Sequence, residues 1–427
     1  MKLLAFSERQ FLEIRKGGLR VLKHKIELAI PIGLKMPLYV VAIPFVLMLR
    51  IIRPVFLVRV GELNCSRIGH FAANTEMYLC AQAAGIDKPK QRSIDLIYLS
   101  SGPICNMQLL KMWRRKLQIL PRLLLQPLGM INQIIPGGNV HRINSLNSAL
   151  DTNNLLDKYP AHLNFTHDEN VLGESLLRDM GIPFGEKFIC LNVRDNVYLA
   201  SHLAGQDFSY HDYRDSDIQN YVLAAETLAN RGYFVVRMGA KVKASIRTKN
   251  VRIIDYATNG MRNDFMDIYL GVKCHFAIST GSGWDAIPEI SRRPIVYVNF
   301  APLGYMHTSR EEFITIIKKY HSVNDGYMLT LSQIASGNKA YYLHAADYES
   351  DGIKLIENTP EEICDVAIEM LERLSGTWIA QKDDEVLQKK FWNMFPDQEL
   401  DNGMPMHGKI LGRYGAAFLR NNPGWLR

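Results

Sequence analysis

Five short runs in the second half of the chain constrain its fold most: FICLNVRD (Phe188–Asp195), YFVVRMG (Tyr233–Gly239), VRIIDY (Val251–Tyr256), HFAIST (His275–Thr280) and PIVYVN (Pro294–Asn299). Each is apolar or β-branched and then turns polar, as strands buried on both faces of a parallel sheet do. Helical stretches fit between them at Ser216–Asn230, Phe265–Val272 and Gly283–Ile290. Alternating strand and helix predicts a Rossmann-like α/β domain.

The first half alternates less regularly. VFLVRVG (Val55–Gly61) reads as a strand, Ile68–Ala84 as an amphipathic helix and DLIYLSS (Asp95–Ser101) as the next strand, followed by a helix bearing Lys111, Trp113, Arg114, Arg115 and Lys116. Leu123–Thr166, punctuated by Pro127, Pro136, Gly137 and Gly138, reads as loops and short elements. A helix entering at Thr166–Glu169 runs to Met180, and GIPFGEK (Gly181–Lys187) reads as a linker. At 427 residues the chain has room for two cores, since single domains stop growing at about 250–300 residues. The expected division is a membrane-associating segment (1–58), a Rossmann-like acceptor domain (59–182), a Rossmann-like donor domain (183–375) and a C-terminal extension (376–427).

Charge distinguishes the first segment. Of the net +7, residues 1–59 carry eleven Lys or Arg against three Glu, giving +8 and leaving −1 for the rest. The excess flanks an apolar run, Leu28–Leu49, which favours an anionic membrane surface over nucleic acid as partner. Lys35 and Pro31, Pro37 and Pro44 interrupt that run and Pro54 follows it, so a peripheral or monotopic anchor on the cytoplasmic face of the inner membrane is expected rather than a span. Basic residues continue past it at Arg50, Arg53 and Arg59 without a small-residue cleavage pattern, against a signal peptide. The competing reading is a pair of apolar helices within the protein's own core. Six scattered cysteines form neither CxxC pairs nor a Cys/His cluster of metal-ligand spacing, which points to free thiols in a reducing compartment.

Ligands of open parallel sheets sit beyond the carboxyl ends of the strands. Those ends supply Arg194 and Asp195, Arg237 and Gly239, Asp255 and Tyr256, and then Ser279, Thr280, Gly281, Ser282 and Gly283. The Gly-Ser-Gly turn opening a helix suits a diphosphate, with backbone amides and hydroxyls as donors, although it matches neither a Walker loop nor GxGxxG. An ordinary strand-to-helix turn has the same composition. Arg194 suits a phosphate, and Asp195 a general base. Tyr198 and Arg214, in RDNVYL and YHDYRDSDIQNYVLA, are further binding candidates. Asp215-Ser216-Asp217 mimics a metal-binding DxD but precedes a helix, where a cap is expected, and no essential metal is predicted. In the first half, Arg67, Gly69 and His70 open a helix; His70 is the candidate base for an acceptor hydroxyl, with Glu62 or Glu76 to orient it. The run Lys111–Lys116 is either a solvated helix face or a holder of lipid diphosphate.

RIGH (Arg67–His70), RDNVY, YRDSDIQNY, GYFVVRMG, IIDYA (Ile253–Ala257), DFMDIYL (Asp264–Leu270) and the glycine turn with RRPIVYVN resemble an uncharacterised family of bacterial glycosyltransferases from surface-polysaccharide gene clusters. The resemblance covers roughly Arg67–Asn299 and implies a GT-B-like fold, two Rossmann-like domains facing a cleft. It implies sugar transfer from a nucleotide-sugar co-substrate to a lipid-linked or glycan acceptor, and it supplies no established catalytic residue. The strand ending in Arg194 also looks like the arginine strand of fucosyltransferase-type enzymes, without their histidine motif. The rivals are polysaccharide pyruvyl transfer and a non-catalytic membrane-bound scaffold of a polysaccharide assembly complex.

Overall fold

The computed structural model describes residues 36–147, 149–197, 209–396, 399 and 405–427. Tyr198 and the first 35 residues of the expected membrane segment lie outside them. The chain divides into two compact units, Met1–Leu63 with Pro89–Ser100 and Leu117–Asn144, and Asn64–Lys88 with Ser101–Lys116 and Ser145–Arg427.

In the smaller unit β1 (Leu57–Leu63) and β2 (Ser93–Leu99) pair in parallel, register Leu57 to Ser93. That register sets Arg59 opposite Asp95, and the guanidinium grips the carboxylate through two bonds of 2.7 and 2.6 Å although Arg59 is buried. Residues expected to be loops form a helix, Arg122–Ile134, with Pro127 inside it; its Leu125 packs on Val60 and Tyr98. The buried imidazole of His141 lies 2.7 Å from the carbonyl of Val58 through Nδ1, tying the chain after that helix to β1. A helix over residues 36–52 completes the described part. The doubly wound sheet expected of this half is present as this one parallel pair. Among the described residues no helix is long and apolar enough to cross a membrane.

The larger unit holds the expected α/β domain. β3 (Phe188–Asn192), β4 (Phe234–Met238), β5 (Ile253–Ile254), β6 (Ala277–Ser279), β7 (Ile295–Phe300), β8 (Phe313–Ile317) and β11 (Arg413–Tyr414) form one sheet, all neighbours parallel, in the order β11-β8-β7-β6-β3-β4-β5. The chain enters at the centre, winds out through β4 to β5, returns to the other side of β3 as β6, and winds out again. This is the strand order of dinucleotide-binding folds, and its reversal lies between β3 and β6. A short antiparallel pair, β9 (Lys319–Ser322) and β10 (Ile353–Ile356), stands apart from it. The segment after residue 375 is built into this unit: β11 is its edge strand, and Trp425 stacks on Phe391 and on Tyr414, which meet each other tilted.

Helix ends follow local sequence. Thr166 and Glu169 form a capping box for His167–Asp179, and Thr359, Pro360 and Glu362 start Pro360–Ser375, which Gly376 stops in a left-handed conformation. The helix Ile68–Ala83, read with the first domain, clusters with the larger unit and packs on Ala286–Ile290.

Candidate functional site

The switch point between β3 and β6 is organised from beneath by a residue that strand-end reasoning passes over. Asp285 is buried at the first helical turn after β6. Its carboxylate accepts from the hydroxyl of Ser279, from the backbone N–H of Ser282 and, at 2.9 Å, from the side-chain amide of Asn192 at the end of β3. Burial pushes its pKa up to about 6. Asn192 also donates to Ser282 Oγ at 2.7 Å, and the backbone N–H of Arg194 donates to Thr280 Oγ1 at 3.0 Å. The three hydroxyls expected to meet a ligand therefore hold β3, β6 and the turn in register. Gly281 has φ +77°, and an added Cβ would lie 2.6 Å from the Phe300 ring. That position needs glycine for the turn itself.

Above this frame lies a cationic cluster. The segment 209–216 is pinned across the strand ends by Lys318, whose buried ammonium donates to the carbonyls of Tyr213 and Asp215, by Ser216 N–H to the carbonyl of Arg194 (3.1 Å), and by Arg214, which donates to the carbonyl of Gly281. Arg194 Nε sits 3.2 Å from Asp215 Oδ1. Burial and then the charge of Arg214 lower the pKa of Arg194. Burial, then Arg214, Arg194 and Arg67, bring His211 down to about 4, so its imidazole is neutral at pH 7. Burial raises Asp215 to about 6 against the pull of Arg194. The charges of Asp215 and then Asp212 act on Arg194 in the opposite direction. Arg194 Nη2, Arg214 Nε and the Tyr213 hydroxyl are buried donors that make no hydrogen bond to any described residue, and neither does His211 Nδ1, a donor or an acceptor according to its tautomer. Buried donors without partners are costly, and a ligand that accepts from them relieves the cost. The arrangement suits a compact anion.

Other candidates are engaged elsewhere. Arg237 is buried and paired with Asp255 at 3.2 Å; the second oxygen of Asp255 accepts from Ile246 N–H at 3.0 Å. Tyr256 is buried and bonded to Asp267 (3.1 Å) and the carbonyl of Asn263 (3.2 Å). At Gly239 (φ +153°) a Cβ would lie 2.5 Å from Val242. Asp195 accepts from the backbone N–H of Val197 (3.1 Å) and of Lys243 (2.8 Å), joining the loops after β3 and β4. Gly69 and Gly283 face each other: a Cβ on Gly69 would stand 3.0 Å from Gly283 Cα, so this pair lets two helix starts cross closely.

His70 is exposed in the first turn of Ile68–Ala83, and its imidazole makes no hydrogen bond to another described residue. Neither carboxylate expected to orient it does so. Glu62 takes the hydroxyl of Tyr98 at 3.3 Å, while Glu76 is fully buried against Arg292 (2.7 Å) and His162 (3.1 Å). Glu76, Cys80 and His162 are spaced as metal ligands are, but the Arg292 guanidinium already supplies a cation there and also donates to Cys80 Sγ at 3.4 Å. Asp217 caps Ile218–Tyr221 through Gln219 N–H at 3.0 Å. The basic run is an internal staple: Lys111 and Arg115 grip Glu169 at 3.0 and 2.9 Å, and buried Trp113 donates to the carbonyl of Phe71.

Sequence reasoning missed Asn192, His211, Tyr213, Lys318 and Asp285. Only Asp285 carried a local signal, its spacing of three from Ser282 in a capping box.

No protein-family model and no curated protein matches the chain. Solved structures do, at low identity. Escherichia coli ADP-heptose LPS heptosyltransferase II is 14% identical over 74% of this chain and 98% of its own, with a TM-score of 0.40. A glycosyl transferase family 9 protein from Veillonella parvula DSM 2008 is 10% identical over 58% and 82%, TM-score 0.32. E. coli heptosyltransferase WaaC, solved with ADP-2-deoxy-2-fluoro heptose, is 11% identical over 68% and 98%, TM-score 0.28.

Proposed function

We propose that the protein is a glycosyltransferase that holds a nucleotide-sugar donor at the β3/β6 switch point and passes the sugar to a lipid-linked or glycan acceptor of a bacterial surface polysaccharide. The observation that carries this reading is the Arg194–Arg214 cluster, with Arg67 adding its charge, placed at the sheet edge where such folds bind phosphates and rich in buried donors without described partners. When the glycosidic bond to the donor breaks, negative charge grows on the departing nucleoside diphosphate. Fixed guanidinium groups meet that charge without reorganising, which is the largest catalytic contribution available to a site of this kind. The chain can then transfer without a metal ion. We assign the acceptor proton to His70, which is exposed and uncommitted; Asp195 is the second choice, because its oxygens already serve two backbone amides.

The test is a panel of nucleotides and nucleotide-sugars in a thermal-shift screen, followed by donor turnover with and without EDTA. Base-selective stabilisation and nucleotide release that survives EDTA support the proposal. Phosphate release from phosphoenolpyruvate in place of nucleotide release assigns pyruvyl transfer, and neither activity with any acceptor returns the chain to a binding or scaffold role.

A further inference from the structure

Within the smaller unit the helix over residues 36–52 is apolar on nearly every side and yet mostly uncovered. Ala42 and Val46 are buried, while Val41, Phe45, Met48 and Ile51 are 50 to 79% exposed. A helix that is apolar all round is normally enclosed. The second helix of the unit repeats the pattern: Leu125, Pro127 and Asn132 are buried, while Leu123 (61%) and Ile134 (75%) recur at helical spacing on an open stripe with Met130.

The two helices are fastened side by side. The Tyr39 hydroxyl meets Met130 Sδ at 3.3 Å. Arg50 donates to the side chain and carbonyl of Asn132 (2.8 to 2.9 Å), to the carbonyl of Ile135 (3.0 Å) and to that of Pro136 (2.6 Å), closing the carboxyl end of the second helix. Beside the end of the first helix, Gln91 donates to the carbonyl of Arg53 and Leu57 N–H to that of Arg92, which gathers the exposed Arg53, Lys90 and Arg92. Glu62 and Asp95 are the only carboxylates among the described residues of this unit, and each already faces an arginine.

We propose that residues 36–52 and Arg122–Ile134 form one two-helix platform that docks flat on an anionic phospholipid bilayer, apolar side chains in the acyl boundary and Arg53, Lys90 and Arg92 against the headgroups. The cationic rim selects a bilayer over a second, equally cationic copy, and the surplus of positive charge in residues 1–59 adds to the same attraction. As described, neither helix is long and apolar enough to cross a membrane. The second helix lies far in sequence from the apolar N-terminal run, so the platform exists only in the folded unit.

The test is flotation of the full-length protein with vesicles of phosphatidylglycerol and phosphatidylethanolamine, and with phosphatidylcholine alone. The wild type floats with the anionic vesicles. Leu123→Glu with Ile134→Glu weakens that binding by about tenfold or more, and Arg53→Glu with Arg92→Glu flattens its dependence on salt. Melting temperature and nucleotide binding stay as in the wild type, because these side chains are exposed and outside the larger unit. Undiminished flotation of the Leu123→Glu, Ile134→Glu protein overturns the platform. So does conversion of a lipid-free dimer to monomer by the same pair, which assigns the face to a second copy, and so does equal binding to neutral vesicles.

Discussion

Arg214→Gln isolates the anion site with least damage to the fold. In the wild type this guanidinium donates to one carbonyl, that of Gly281, and lies beside Arg194, whose pKa it lowers. Losing that bond costs about 1 kcal/mol of stability, and removing one of two neighbouring positive charges offsets part of it, so the melting temperature should fall only slightly. Binding is affected differently. One charge-assisted hydrogen bond to a phosphate contributes about 1.5–3 kcal/mol, so nucleoside diphosphate affinity should drop about 10- to 150-fold. Isothermal titration with the nucleotide that most stabilises the wild type measures this directly. An internal control comes from His211, whose imidazole is held near 4 by burial and then by Arg214. In the variant its titration, followed by NMR, should move toward the ordinary histidine value. Loss of a depressed folded pKa also removes a destabilisation that the wild type acquires as pH falls from the unfolded histidine range toward 4. Nucleotide affinity unchanged within twofold in a protein whose His211 has shifted would show that the charge is gone and that no phosphate depended on it.

The remaining predictions concern the base and the buried frame. His70→Ala should lower turnover by about 10²- to 10⁴-fold with donor affinity near wild type; a fully active variant transfers the role to Asp195. Asp285 has a folded pKa raised to about 6, so its contribution is full below the unfolded value near 3.8 and is lost as pH rises through 6, a change of about 3 kcal/mol. Denaturant titrations should therefore show Asp285→Asn gaining on the wild type between pH 4 and pH 7, and a constant difference across that range would overturn the raised pKa of this carboxylate.

How far the sequence could be read depended on whether a feature was local. The runs at Phe188, Tyr233, His275 and Pro294 were legible because strands buried on both faces are apolar without interruption. Thr166 was legible because caps are written in adjacent residues. Strand order was not, since nothing in HFAIST says that it returns beside β3. The two-residue β11 is too short to have a period, and Pro127 disguised a helix as a loop. At the site, the arginines at the strand ends were visible as residues, but the directions of their side chains were not. Arg194 turns toward the segment at 209–216, whereas Arg237 is sealed against Asp255. Of the hydroxyls at the turn, that of Ser279 donates inward to Asp285, while those of Thr280 and Ser282 accept from Arg194 N–H and from Asn192, partners that residue identity alone does not disclose.

The central position of β3 also has a bearing on how the protein is made. Its neighbour β6 pairs Asn192 with Ser279, and the clamp over segment 209–216 is Lys318, at the end of β8. On a ribosome adding about 5–20 residues per second, Arg194 and Arg214 emerge about 5–25 s before the lysine that fixes the backbone on either side of Arg214. Contacts of such long range form slowly. The nascent larger unit thus passes through a period in which its two arginines are synthesised but unplaced, and any soluble anion able to bridge them would act as a folding ligand for the centre of the sheet.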